Sequence, residues 1–188
     1  MVAADVFDAG DIAGVAARVR ALGAGRVAID APSGLSPLAH AGDETLPRKF
    51  RAARCGEIAL GREAGVWVPW VSPPAGATEV AGWITVGLAL FDAVRAAGVE
   101  VVETYPHAVF RALAAGARLP PKSSPAGLAS RAALLGAGGV IEGTLALWGH
   151  DGLDAGAAAL VAADLSPRVL SCGHDGSSIV LPATGLPA

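Results

Sequence analysis

Near its C-terminal end the chain reads Gly149-His150-Asp151-Gly152-Leu153-Asp154-Ala155, the opening of an alanine-rich helix. Asp151 and Asp154 stand three positions apart, so a helix stacks both carboxylates on one face of its first turn. The apolar run Ala158-Ala159-Leu160-Val161 turns the rest of that helix toward a core and leaves its start at solvent. Two carboxylates at one edge are what a divalent cation requires of a protein. Acids at a helix N-terminus also favour the macrodipole and cap free N–H groups, so the pair has a structural use as well. His150 adjoins Asp151 and is placed to tune its surroundings or to shuttle a proton.

A further acid lies far upstream. Arg26-Val27-Ala28-Ile29-Asp30 reads as a short strand without alternation, covered on both faces as in a parallel sheet, and Pro32 and Gly34 turn the chain just after it. Ligands gather at the carboxyl ends of such strands, which is where Asp30 stands; an Asx-type turn is its structural alternative. Val99-Glu100-Val101-Val102-Glu103-Thr104-Tyr105-Pro106 predicts a second strand, with Glu103 near its end and Pro106 opening a helix. If the two strands are parallel neighbours, Asp30 and Glu103 emerge at the same edge. Glu100 reads as an entry residue.

The cations fall in two places. Arg48, Lys49, Arg51 and Arg54 cluster along an expected basic helix running from Arg48 to Arg62, suited to phosphate oxygens or simply a solvated face. Lys122, between Pro121 and Ser123, meets a phosphate or lies on a loop. His107 follows Pro106 in a first helical turn, and His174-Asp175-Gly176 has turn chemistry. No Walker loop, G-x-G-x-x-G, nucleophile elbow or zinc spacing occurs.

The elements that must carry these residues follow from the pattern. Helices are expected over Asp11–Leu22, about Glu79–Ala97, Pro106–Ala115, Ser124–Leu135 and onward from Asp151, with Ile179-Val180-Leu181 as a short edge strand stopped by Pro182. With 188 residues, 53% of them hydrophobic and 16% charged, the chain reads as a single α/β domain over residues 1–188. A net charge of −3 argues against binding nucleic acid through global charge alone. No apolar run approaches the roughly 18 residues of a membrane span, and no membrane partner is expected. Cys55 and Cys172 are read as unpaired thiols of a reducing cytoplasm, and Cys55 lacks a partner base for nucleophilic work.

Asp30-Ala31-Pro32-Ser33-Gly34-Leu35, Arg54-Cys55-Gly56-Glu57, Glu103-Thr104-Tyr105-Pro106 and His150-Asp151-Gly152-Leu153-Asp154-Ala155, in this order, resemble the DUF429 family. Gly173-His174-Asp175-Gly176 leading to Ile179-Val180-Leu181-Pro182 is similar to its closing segment. The resemblance implies an RNase H-like mixed sheet flanked by helices and a predicted nuclease, a hydrolase cleaving phosphodiesters of nucleic acid. It further implies two divalent ions, Mg²⁺ or Mn²⁺, about 3.5–4 Å apart on strand and helix carboxylates. Carried over, Asp30, Glu103, Asp151 and Asp154 form the catalytic set, with Asp30, Asp151 and Asp154 as metal ligands. Arg51, Arg54 and Lys122 would meet the substrate.

The family begins with a strand bearing a Gly-x-Asp ligand and a hairpin, whereas this chain opens at the following helix. The resemblance therefore predicts either a start assigned too late or an N-terminally shortened form, whose exposed sheet edge a homodimer would cover. Two other readings stand beside it. One is a non-catalytic protein of the same fold that binds a nucleotide or a partner through the Arg48–Arg54 face. The other is an enzyme like the NAD(P)HX epimerases, to which Asp30-x-Pro32-Ser33-Gly34-Leu35 is similar.

Overall fold

The computed structural model describes residues 7–8, 10–138 and 149–183; Met1–Val6, where the sequence shows no strand, lies outside them. The described chain is α/β. Its helices are α1 (Ile12–Ala21), α2 (Cys55–Ala64), α3 (Gly82–Ala96), α4 (Pro106–Leu113), α5 (Pro125–Ala137) and α6 (Gly149–Ala163). Its strands are β1 (Arg26–Ile29), β2 (Glu100–Glu103), β3 (Arg168–Leu170) and β4 (Ile179–Leu181). A 3₁₀ turn, Arg48–Ala52, precedes α2.

β1 and β2 are parallel neighbours, with Arg26 opposite Glu100 and Ile29 opposite Glu103. Arg26 fixes one end of this pair, its Nε 2.9 Å from Glu100 Oε2. Its Nη1 donates 2.8 Å to the carbonyl of Asp164, just past the end of α6. Since α6 packs on β1 and its C-terminal end is tied to the strand's first residue, the helix runs antiparallel to the strand. The first turn of α6 is thereby carried toward the end of β1 that bears Asp30. That is how Asp30 comes to face acids more than 120 residues downstream.

β3 and β4 pair antiparallel, and Thr104 Oγ1 donates 2.8 Å to the carbonyl of Val180, joining this hairpin to the end of β2. Among the described residues β4 pairs only with β3 and so is an edge strand stopped before Pro182, as its sequence implies, yet Ile179, Val180 and Leu181 are all buried in the core. The main core joins α2, α4, α5 and α6 to the β3–β4 hairpin through residues such as Leu60, Phe110, Leu135, Leu153, Val161 and Leu181. Burying each such side chain stabilises the fold by roughly 1.5–3 kcal/mol.

Two sequence expectations are corrected here. The basic stretch Arg48–Arg62 is not one helix, because Ala53 and Arg54 take extended backbone angles and divide the 3₁₀ turn from α2. Cys55 and Cys172 are not unpaired thiols: they form a disulfide, with Cα atoms 4.9 Å apart across a sequence separation of 117. Linear spacing carries no sign of that proximity, which the β3–β4 hairpin creates by folding against α2. Among the described residues, no helix is long and apolar enough to cross a membrane.

Candidate carboxylate cleft

Asp30, the residue just after β1, stands at the mouth of a cavity of about 410 Å³, which Asp154, Lys122, Arg131, Tyr105, His107 and the aromatic pair Trp70 and Trp83 also line. Asp30, Asp151, Asp154 and Lys122 extend into a neighbouring groove along β1 and α6. The structure therefore brings Asp30, Asp151, Asp154 and Lys122 to one edge, as the spacing of their elements requires. Close approach of α3 shapes this edge. A Cβ at Gly87 would collide with the Cβ of Ala31, beside Asp30, so a larger residue would push the helix off the loop.

The electrostatics of the cleft are those of acids crowded with too little positive charge. The Asp30 carboxyl is pushed up to about 6, first by desolvation, then by repulsion from Asp154, with Glu103 and Asp151 adding to it and Lys122 opposing. Asp30 nonetheless stays exposed, so its desolvation is that of a concave wall open to solvent and to an incoming ion. Asp154 is mostly buried, and Lys122 Nζ lies 3.2 Å from its Oδ2. Asp151 is open to water, with its Oδ1 2.7 Å from His150 Nδ1, too far off line for a hydrogen bond. His150, Asp151 and Asp154 each offer a ligand atom within 4.8 Å of the other two. An oxygen-rich, partly open set of this kind suits a hard divalent cation such as Mg²⁺ or Mn²⁺.

Glu103 stands one position from Asp30 in the strand register, but its carboxylate points into a buried network. Arg54 Nη1 and Nη2 donate to its two oxygens at 2.8 and 2.6 Å, and the Ser33 N–H donates to Oε2 at 2.7 Å. Arg54 also reaches Glu57 Oε1 and Ser72 Oγ. Glu57 in turn accepts from the Arg54 N–H at 3.0 Å, which anchors the start of α2. Arg54 is 1% exposed and Glu103 3%. Burial lowers the Arg54 pKa, and the bonds from Glu103 and Glu57 outweigh it, so the guanidinium is held more firmly charged than usual.

The expectation that Arg54 meets the substrate is thus corrected, because every direction of its fork is occupied inside the protein. Glu103 is placed in that network and not in the open cleft. The Ser33-Gly34 turn after Asp30 is fastened to the same carboxylate, which gives the Asp30–Leu35 motif a structural use. Arg51 is likewise away from the cleft, its Nε donating 3.4 Å to the carbonyl of Leu46. Lys49, from the same cluster, donates to the Pro69 carbonyl at 2.5 Å and sits over the Phe50 ring.

Sequence reasoning missed three contributors. Trp70 and Trp83 meet edge-on at 5.0 Å, and Trp70 meets Tyr105 edge-on at 6.3 Å. Trp83 stays 46% exposed, an unusual position for so large a ring. The signal was two tryptophans flanking a proline-rich bend, which composition alone does not rank. Arg131 packs over Phe110 and donates to the carbonyls of Pro120 and Gly127 at 3.1 Å, bracing the loop that carries Lys122. His107, in the first turn of α4, faces the cleft. Burial, followed by Arg131 and Arg111, lowers its pKa, so it is a neutral imidazole at pH 7.

These observations define an α/β protein with an acidic, aromatic-walled cleft at the carboxyl edge of a parallel strand pair. It belongs to the DUF429 family, described as a protein of unknown function, whose family model matches residues 72–177, more than half of the chain. Glu103, Asp151, Asp154 and the His174 turn fall within that match, whereas Asp30 and Arg54 precede it. No curated protein and no solved structure matches the chain.

Proposed function

We propose that this protein is a metal-dependent phosphodiesterase acting on single-stranded nucleic acid, built on an RNase H-like arrangement. The observation that carries this reading is the convergence of Asp30 with the Asp151–Asp154 pair beside an aromatic wall and Lys122. Asp30, Asp154 and Asp151 would hold Mg²⁺ or Mn²⁺, and the raised Asp30 pKa marks a place where a cation relieves repulsion. Bound there, the metal supplies Lewis-acid activation of water and of the phosphoryl oxygen.

The protein's own groups do the remainder. Lys122 offsets phosphate charge, and Arg131 keeps its loop in place. Trp70, Trp83 and Tyr105 offer rings for bases to stack on, a contact that single strands supply and duplexes withhold. Neutral His107 can accept or return a proton in the cleft. Glu103 is a positioning residue, tying the turn after Asp30 to Arg54. The alternative of a non-catalytic binder using the Arg48–Arg54 face loses its main support with the burial of Arg54.

The test is cleavage of end-labelled single-stranded DNA and RNA with Mn²⁺, comparing the natural chain with Asp154→Asn. Metal-dependent cleavage lost in the variant, with an unchanged circular dichroism spectrum, supports the proposal. Equal cleavage by both, or none by either, overturns it.

A further inference from the structure

Away from the carboxylate cleft, both cysteines and two of the four histidines of the chain meet at one point. His40 comes from the loop after β1, Cys55 is the first residue of α2, and Cys172 and His174 belong to the β3–β4 connection. Each offers a ligand atom within 4.8 Å of the other three. His40, only 6% exposed, has its Nε2 3.3 Å from both sulfurs. The His174 ring lies 5.3 Å from that of His40, and its backbone N–H donates 3.2 Å to Cys55 Sγ.

A disulfide needs two cysteines and gives two imidazoles no role. A tetrahedral zinc ion uses all four groups. With Zn–S about 2.3 Å and Zn–N about 2.0–2.1 Å, the edges of such a tetrahedron are about 3.3–3.8 Å. The sulfur-to-imidazole separations of 3.3 Å already lie near that range. Two thiolates and two imidazoles form a borderline-soft set that favours zinc over Mg²⁺ or Mn²⁺.

The surroundings are built to hold the ligands. Cys55 sits at the N-terminus of α2, where the helix favours a thiolate. Asp175 Oδ2 accepts from the Cys55 N–H at 3.0 Å, and Ser177 Oγ from the Gly56 N–H at 3.0 Å. A Cβ at Gly56 would come within 2.9 Å of the Ser178 carbonyl carbon, so glycine lets the hairpin lie directly against the helix start.

We propose that His40, Cys55, Cys172 and His174 form a structural Cys₂His₂ zinc site when the two cysteines are thiols, with the disulfide as its oxidised alternative. A dithiol reductant delivers two electrons and two protons to the sulfurs and itself closes to a disulfide. Zn²⁺ then displaces the two thiol protons to solvent and takes one lone pair from each imidazole. The ion joins the His40 loop, α2 and the β3–β4 hairpin, the same segments that the disulfide joins only in part. It also sits one residue from Arg54, and so secures the network that fixes the turn after Asp30.

The experiment is a Co²⁺ titration of the dithiol-reduced chain, desalted without oxygen, followed by competition with Zn²⁺. One equivalent of Co²⁺ is expected to give intense tetrahedral d–d bands and a thiolate-to-cobalt charge-transfer band, and Zn²⁺ to abolish both by displacement. Cys55→Ser/Cys172→Ser should lose the charge transfer. His174→Ala, at an exposed position that leaves the fold intact, should weaken binding at least about tenfold. Asp154→Asn should change neither band, since it belongs to the other site. Absence of charge transfer in the reduced natural chain overturns the proposal, as does unchanged Co²⁺ affinity in both His40→Ala and His174→Ala.

Discussion

Lowering the pH from 7 to 5 should weaken Mn²⁺ binding to the cleft by about tenfold through Asp30 alone. Its carboxyl is pushed up to about 6, so about nine-tenths is ionised at pH 7 and about one-tenth at pH 5, each pH unit past the pKa being a factor of ten. The metal needs the ionised form and competes with the proton for it. Isothermal calorimetry at pH 5, 6, 7 and 8 should show affinity rising steeply between 5 and 6 and flattening above 7. Asp30→Asn should bind more weakly at pH 7 and lose most of that slope.

The same raised pKa makes a second statement about the metal-free protein. The folded value exceeds the unfolded 3.8, so the folded state binds the proton more tightly, and stability falls as pH rises from about 4 to 6 before levelling. The full shift corresponds to about 3 kcal/mol as a ceiling, and because Asp30 is exposed, screening reduces it to about 1 kcal/mol. Asp30→Asn should therefore stabilise the metal-free chain by about 1 kcal/mol at pH 7.5 and change nothing at pH 3.5. Denaturant midpoints at the two pH values check this. A variant no more stable at pH 7.5, together with Mn²⁺ affinity flat from pH 5 to 7, would refute the crowded-acid description of the cleft.

Other consequences are equally direct. Arg54→Met, which strands Glu57 and Glu103 in the core, should cost about 3–5 kcal/mol of unfolding free energy by denaturant titration, and a loss under 1 kcal/mol would contradict the buried network. Trp83→Ala should weaken single-strand binding by about 1–3 kcal/mol in fluorescence anisotropy without lowering the melting temperature, and unchanged affinity would remove the aromatic wall from the substrate path. Lys122→Ala should reduce the slope of log affinity against log salt by about 0.7, whereas Arg51→Ala, which lies away from the cleft, should leave it unchanged.

The sequence made some of this legible and hid the rest for identifiable reasons. β1 and β2 were readable because two short apolar runs, each followed or ended by an acid, signal a parallel pair. Their register does place Glu103 beside the end of β1. β1 is only half-buried, however, and lines the groove beside α6, so it is not covered on both faces as expected. The Asp151–Asp154 pair was readable from helical spacing, but its meeting with Asp30 depends on the antiparallel course of α6, which Arg26 secures from the far end of the strand.

Arg54 was misread because a run of cations shows nothing of partners such as Glu103, 49 positions away in sequence. β3, at three residues, is too short for its alternation to register. The Cys–His cluster was hidden because only Cys172 and His174 are close in sequence, while His40 and Cys55 arrive through tertiary packing. That cluster also corrects the expectation of unpaired cysteines.

The central claim is that Asp30 and the first turn of α6 together hold a divalent cation. Anomalous diffraction from Mn²⁺-soaked crystals at pH 7.5 tests it most directly. The account predicts a peak in contact with the carboxylates of Asp30 and Asp154, lost in Asp154→Asn. Strong Mn²⁺ density elsewhere, with none between these two side chains, would contradict it.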